Sequence, residues 1–107
     1  MGISIEKSAG TVTALLSGEI DHHSAEQLRS EIDRAIKEYM PEKLVMDFKD
    51  ITFMDSSGIG LVMGRYKALA GTGAQIYIVN MSPQIYKVMK ISGMERLVRL
   101  EKSTALV

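Results

Sequence analysis

Leu44-Val45-Met46-Asp47-Phe48-Lys49-Asp50-Ile51-Thr52-Phe53-Met54-Asp55-Ser56-Ser57-Gly58-Ile59-Gly60-Leu61-Val62-Met63 decides the fold. Its first five residues are mostly apolar, the pattern of a strand covered on both faces. Residues 49–54 lead to a turn at Asp55-Ser56-Ser57-Gly58. Beyond it Ile59, Val62, Met63, Tyr66 and Leu69 recur at helical spacing, predicting a helix that ends at Gly71-Thr72-Gly73. Ile76-Tyr77-Ile78-Val79 reads as another buried strand. Strand, helix and strand in that order imply a parallel pair joined by a right-handed crossover.

The same alternation extends in both directions. Ile3-Ser4-Ile5 predicts a short first strand. After the Ala9-Gly10 turn, residues 11–17 place Val12, Ala14 and Leu16 on one face of a second. Gly18-Glu19-Ile20-Asp21-His22-His23 closes that strand and leads to a helix. Ser24 followed by Gln27 fits a capping box at its start. Leu28, Ile32, Ala35, Ile36 and Tyr39 form its apolar stripe; Arg29, Glu31, Asp33, Arg34 and Lys37 face outward, and Pro41 stops it. Toward the C-terminus, Ser82-Pro83 predicts an N-cap with proline at the first helical position. Ile85, Val88 and Met89 make a third stripe, Gly93 is the terminator, and residues 97–100 form a last strand. The order is β-β-α-β-α-β-α-β: one α/β domain over residues 1–107, with a mixed, mostly parallel sheet packed by helices.

Thirteen basic and thirteen acidic residues cancel across the 107 positions, so no global field favours nucleic acid or anionic lipid. No apolar stretch approaches the roughly 18–20 residues that span a bilayer. The first residues lack the basic and apolar segments of a signal peptide, and Glu6 stands where a myristoylation signal wants a hydroxyl. With no cysteine there is no disulfide, thiolate metal site or thiol nucleophile. A cytoplasmic protein without membrane or direct nucleic-acid partners is the expectation.

Catalytic patterns are missing too. Residues 54–58 lack the first glycine of a Gly-x-Ser-x-Gly elbow, and no phosphate-binding or dinucleotide-binding glycine pattern occurs. Asp21, His22 and His23 are adjacent and cannot all turn toward one metal ion. A receiver domain phosphorylated on Asp47 would need an acidic pair after the first strand, where Ser8-Ala9-Gly10 stands. The expectation is a protein that is not an enzyme and carries no cofactor.

Asp55-Ser56-Ser57-Gly58 remains. Its plain reading is capping: Asp and Ser accept bonds from first-turn N–H groups, and glycine relieves crowding. The same geometry tolerates an added phosphate, because free N–H groups and the helix dipole favour negative charge. Local chemistry does not choose between Ser56 and Ser57.

Gly18-Glu19-Ile20-Asp21-His22-His23-Ser24-Ala25-Glu26 and Phe53-Met54-Asp55-Ser56-Ser57-Gly58-Ile59-Gly60-Leu61-Val62-Met63-Gly64-Arg65-Tyr66-Lys67 closely resemble the two signature segments of bacterial anti-sigma factor antagonists of STAS fold. The likeness spans nearly the whole chain, Ile91-Ser92-Gly93-Met94 included, although the tail after Leu100 looks shorter than is usual. The Asp-His-His and Gly-Arg-Tyr-Lys details resemble the sporulation branch, the anti-sigma F factor antagonists. The resemblance implies a partner-switching cycle. An unphosphorylated antagonist binds an anti-sigma factor that is also a serine kinase, freeing the sigma factor. The kinase phosphorylates the serine after the motif aspartate, Ser56 here with Ser57 as the fallback, and the complex parts. A manganese-dependent serine phosphatase resets the cycle. The alternative use of such a module is as an interaction subunit of another signalling or transporter complex.

The resemblance implies that Asp21 and His22 form one edge of the docking surface. Asp55, Ser56, Ser57, Gly58, Ile59 and Gly60 form the other, the two glycines letting a partner backbone come close. A phosphoserine brings a charge of about −1.5 to −2. At about 6 Å from a partner carboxylate, with an effective dielectric of about 20, the repulsion is roughly 4–6 kcal/mol before salt screening. About 1.4 kcal/mol is tenfold in affinity, so half of that releases a complex.

Overall fold

The computed structural model describes residues 2–102. Five strands lie in the order of the chain: β1 (Gly2–Ser8), β2 (Thr11–Ile20), β3 (Lys43–Met54), β4 (Gln75–Met81) and β5 (Arg99–Lys102). β1 and β2 form the expected antiparallel hairpin; β2, β3, β4 and β5 pair in parallel. The connecting helices are α1 (His22–Tyr39), α2 (Ser56–Ala68) and α3 (Pro83–Ile91), with a 3₁₀ turn at Met94–Arg96 before β5. The strand order never reverses. Right-handed crossovers therefore carry each helix to the same side of the sheet.

That one-sidedness corrects the reading of β3. Leu44, Met46 and Phe48 are buried, while Val45 and Asp47 between them stay half-open. The strand alternates as a half-covered strand does; apolar Val45 between Leu44 and Met46 made it resemble a doubly buried one. Val12, Ala14, Leu16, Ile76 and Ile78 share the covered face, and Leu28, Ile32, Leu61, Val62, Ile85 and Met89 meet them from the helices.

Further corrections concern element boundaries and exposure. α1 begins two residues before Ser24, with Asp21 as its N-cap and Ser24 at the third helical position. Tyr39, expected in the core, is 38% exposed because it sits over β1, where the Lys7 ammonium lies 4.3 Å from its ring centre. Tyr66 and Val88 are likewise exposed. Residues 49–54, expected as a lead-in to the turn, belong to β3, and the last strand is Arg99–Lys102 rather than residues 97–100. Gly93 does follow the end of α3, at φ 84°, the left-handed geometry that glycine adopts without strain. The tail beyond Lys102 lies outside the described residues.

Asp33, expected in solvent, turns across to α2. Its Oδ1 lies 2.9 Å from Nε of Arg65, a side chain only 6% exposed. The two form a close ion pair whose geometry is poorly aligned for a hydrogen bond.

Candidate functional site

β2 and β3 end together, with Ile20 opposite Met54. The residues that follow, Asp21 and Asp55, are thereby set side by side at the starts of α1 and α2. The Asp55 N–H donates to the Ile20 carbonyl at 3.1 Å and ties the two starts together. On the way there, β3 gains one residue against β2 between Leu15 and Ser17 and another between Gly18 and Glu19. Such bulges bend a strand and re-aim its side chains. Phe53, just past the second, is 50% exposed at the rim of the site.

The α1 start is closed on itself. Asp21 Oδ1 accepts from the His23 N–H at 3.0 Å and the Ser24 N–H at 2.8 Å. The Ser24 hydroxyl accepts from the Asp21 N–H at 3.0 Å and donates to the Glu19 carbonyl at 2.7 Å. The Ser24 N–H, above all, holds the Asp21 carboxyl below its ordinary pKa. Partial burial opposes that shift, while the Ser24 hydroxyl, the His23 N–H and the His23 charge add to it. His22 and His23 stand exposed at the first two helical positions.

The α2 start is open. Asp55 accepts only from the Ser57 N–H, at 2.8 Å. Ser56, at the first helical position, is exposed; Ser57 is half-buried. Gly58 stands where Ser24 stands in α1, so no side chain can reach back to close the cap. The reading of Gly58 as room for a partner backbone is corrected: it is buried, and the space its Cβ would need is filled by the Met54 thioether and Cγ. Gly60 is different, exposed with nothing near its missing Cβ. Ile59 is half-buried against the core.

Between the two starts lies a shallow groove of about 310 Å³, lined by His22, Glu26 and Arg29 of α1 and Ser57 and Gly60 of α2. The groove thus brings His22, Ser57 and Gly60 together; Asp21 and Asp55 cap the two adjoining helix starts, Ser56 is exposed beside them, and Gly58 is turned inward. Arg29 joins that surface although motif reading passed over it, and Phe53 is exposed on β3 two residues before Asp55. An apolar residue next to a polar turn was the available signal for Phe53. Among the described residues no group of three His, Asp or Glu side chains could hold a metal ion, and no helix is long and apolar enough to cross a membrane.

The profile of the STAS domain matches residues 2–106. The chain is 34% identical over 95 residues to the anti-sigma F factor antagonist of Paenibacillus polymyxa, covering 89% of this chain and 81% of that one. Its fold is similar to that of the anti-sigma factor antagonist SpoIIAA in its unphosphorylated form, with a TM-score of 0.80 and 35% identity over 92% of this chain and 87% of that one. The Bacillus cell fate determinant SpoIIAA in its phosphorylated form is similar at a TM-score of 0.72 and 35% identity, covering 92% and 90%.

Proposed function

The chain belongs to the STAS domain family, and from that premise we propose that it is an anti-sigma factor antagonist switched off by phosphorylation of Ser56. Unphosphorylated, it binds an anti-sigma factor with serine kinase activity and so frees a sigma factor for transcription. Phosphorylated, it lets go, and a manganese-dependent serine phosphatase restores it. The names of its relatives favour the sigma F system and hence sporulation, with the cycle running in the cytoplasm. The chain itself contributes a surface and an acceptor hydroxyl; the chemistry is the kinase's.

The observation that carries this reading is the contrast between adjacent serines. Ser56 is exposed at the first position of an open helix start, while Ser57 is half-buried in the groove wall with its N–H tied to Asp55. A kinase must bring its phosphoryl donor into line with the acceptor oxygen, and an exposed hydroxyl permits that approach. The phosphate would then sit at the N-terminal end of α2, where the helix dipole favours negative charge, so the domain keeps its fold. The charge acts instead on whatever docks across Asp21, His22 and Gly60.

The test uses the chain, its anti-sigma kinase and ATP, with intact mass as the readout. Wild type and Ser57→Ala should gain one phosphate, and Ser56→Ala none. Equal uptake by Ser56→Ala, or none by wild type, removes the proposal. By calorimetry, Ser56→Asp should weaken kinase binding at least about tenfold, the effect of roughly 1.4 kcal/mol.

A further inference from the structure

Arg65 is the one charged side chain buried among the described residues, and the switch at Ser56 makes no use of it. It comes from α2 into the valley that α2 forms with α1, and the little of it that stays open lines that valley. Arg29, Ser30, Asp33, Arg34 and Lys37 line it from α1, around a space of about 660 Å³. Those five lie on two neighbouring rows of the helix, spaced three or four residues apart, so their side chains converge on one strip.

The charges there do not balance. Four cations face one carboxylate, that of Asp33. Arg29 and Arg34 have outward partners in Glu26 and Glu31, but each pair is 3.9 Å long and largely exposed, leaving those cations free to swing inward. The Asp33 contact reaches only Nε of Arg65 and is poorly aligned there, while Nη1 is sealed from solvent without a hydrogen-bond acceptor. Burial lowers the Arg65 pKa; Asp33 opposes that shift and the Arg29 charge adds to it. A buried guanidinium with an unmet N–H, flanked by further cations, suits a multiply charged anion.

We propose that the α1–α2 valley is an oxyanion-binding site, with Arg65 at its floor and Arg29, Arg34 and Lys37 at its walls. A phosphate group fits it better than a carboxylate, because several oxygens can be met by cations from different sides while the arginine forks bind in pairs. The ligand is free phosphate or a phosphate monoester. Arg29 also lines the groove beside Ser57, so an occupied valley changes the charge offered to a partner there.

The full chain, labelled with ¹⁵N, is titrated with sodium phosphate, with glycerol phosphate, and with sodium chloride at equal ionic strength. Saturable shifts of the Arg65 side-chain signal and of the residue 29–37 amides are expected with phosphate or its monoester and not with chloride. Saturation by phosphate alone assigns the free ion; saturation by glycerol phosphate assigns the monoester. Arg34→Gln/Lys37→Gln, two exposed positions whose change leaves the core intact, should weaken binding by about tenfold or more. Shifts reproduced by chloride, or a double variant that titrates like wild type, would overturn the site. Neither result depends on phosphorylation of Ser56.

Discussion

The starts of α1 and α2 share a plan and are opposites in behaviour. Each follows a strand of the same parallel pair, each opens with aspartate, and each carries a small residue three positions on: Asp21 with Ser24, Asp55 with Gly58. In α1 the serine reaches back, and four hydrogen bonds lock cap, first turn and preceding strand together. In α2 the glycine cannot, and Met54 occupies the room a side chain would need. A serine hydroxyl consumed by a cap is structural; one displayed at the first position of a turn that Asp55 alone caps is available for chemistry. Two helix starts on adjacent strands thus divide between them the tasks of holding the surface and switching it.

The sharpest way to break the contrast is to give α2 a side chain at its third position. Gly58→Ala drives a methyl group into Met54 and should cost about 1–3 kcal/mol, read as a lower denaturant midpoint. A variant as stable as wild type would mean that Met54 does not hold the turn open. Next in size is the exchange of serines. Ser24→Ala removes bonds to Asp21 and Glu19 and should lose about 1 kcal/mol, whereas exposed Ser56→Ala should stay within about 0.5 kcal/mol. Equal losses would erase the distinction between the two hydroxyls.

The smallest effect concerns pH. Asp21 has a lower pKa folded than unfolded, so it adds stability above the ordinary carboxylate range. That increment fades as the pH falls through this range toward the folded value. Asp21→Asn keeps a good N-cap but cannot titrate, so its stability should decline less steeply in acid than that of wild type. Parallel acid limbs in the two proteins would show that the carboxylate charge contributes nothing to the closed cap.

Much of the architecture was legible because it rests on local periodicity. The hairpin at Ala9-Gly10, the stripe Leu28-Ile32-Ala35, the cap at Ser82 and the stop at Gly93 each depend on neighbours within a turn or two. The errors arose where distant residues intervene. Tyr39 and Val88 fit helical spacing, yet the curved, one-sided layer leaves them uncovered. Arg65 sits in a motif of polar aspect, and its burial depends on α1 lying alongside.

For the site, the chain by itself determined that an aspartate and two serines begin a helix after a buried strand, and that a second aspartate begins another. Those are consequences of spacing and side-chain chemistry, which a single segment contains. Only the tertiary structure decided that Ile20 pairs with Met54, bringing the two starts together. It also decided that Met54 fills the place beside Gly58, that Ser56 faces out where Ser57 turns to the groove, and that four cations from two helices share one valley. Strand register and helix packing are set by the sum of many contacts between remote residues, so no local stretch of sequence records them.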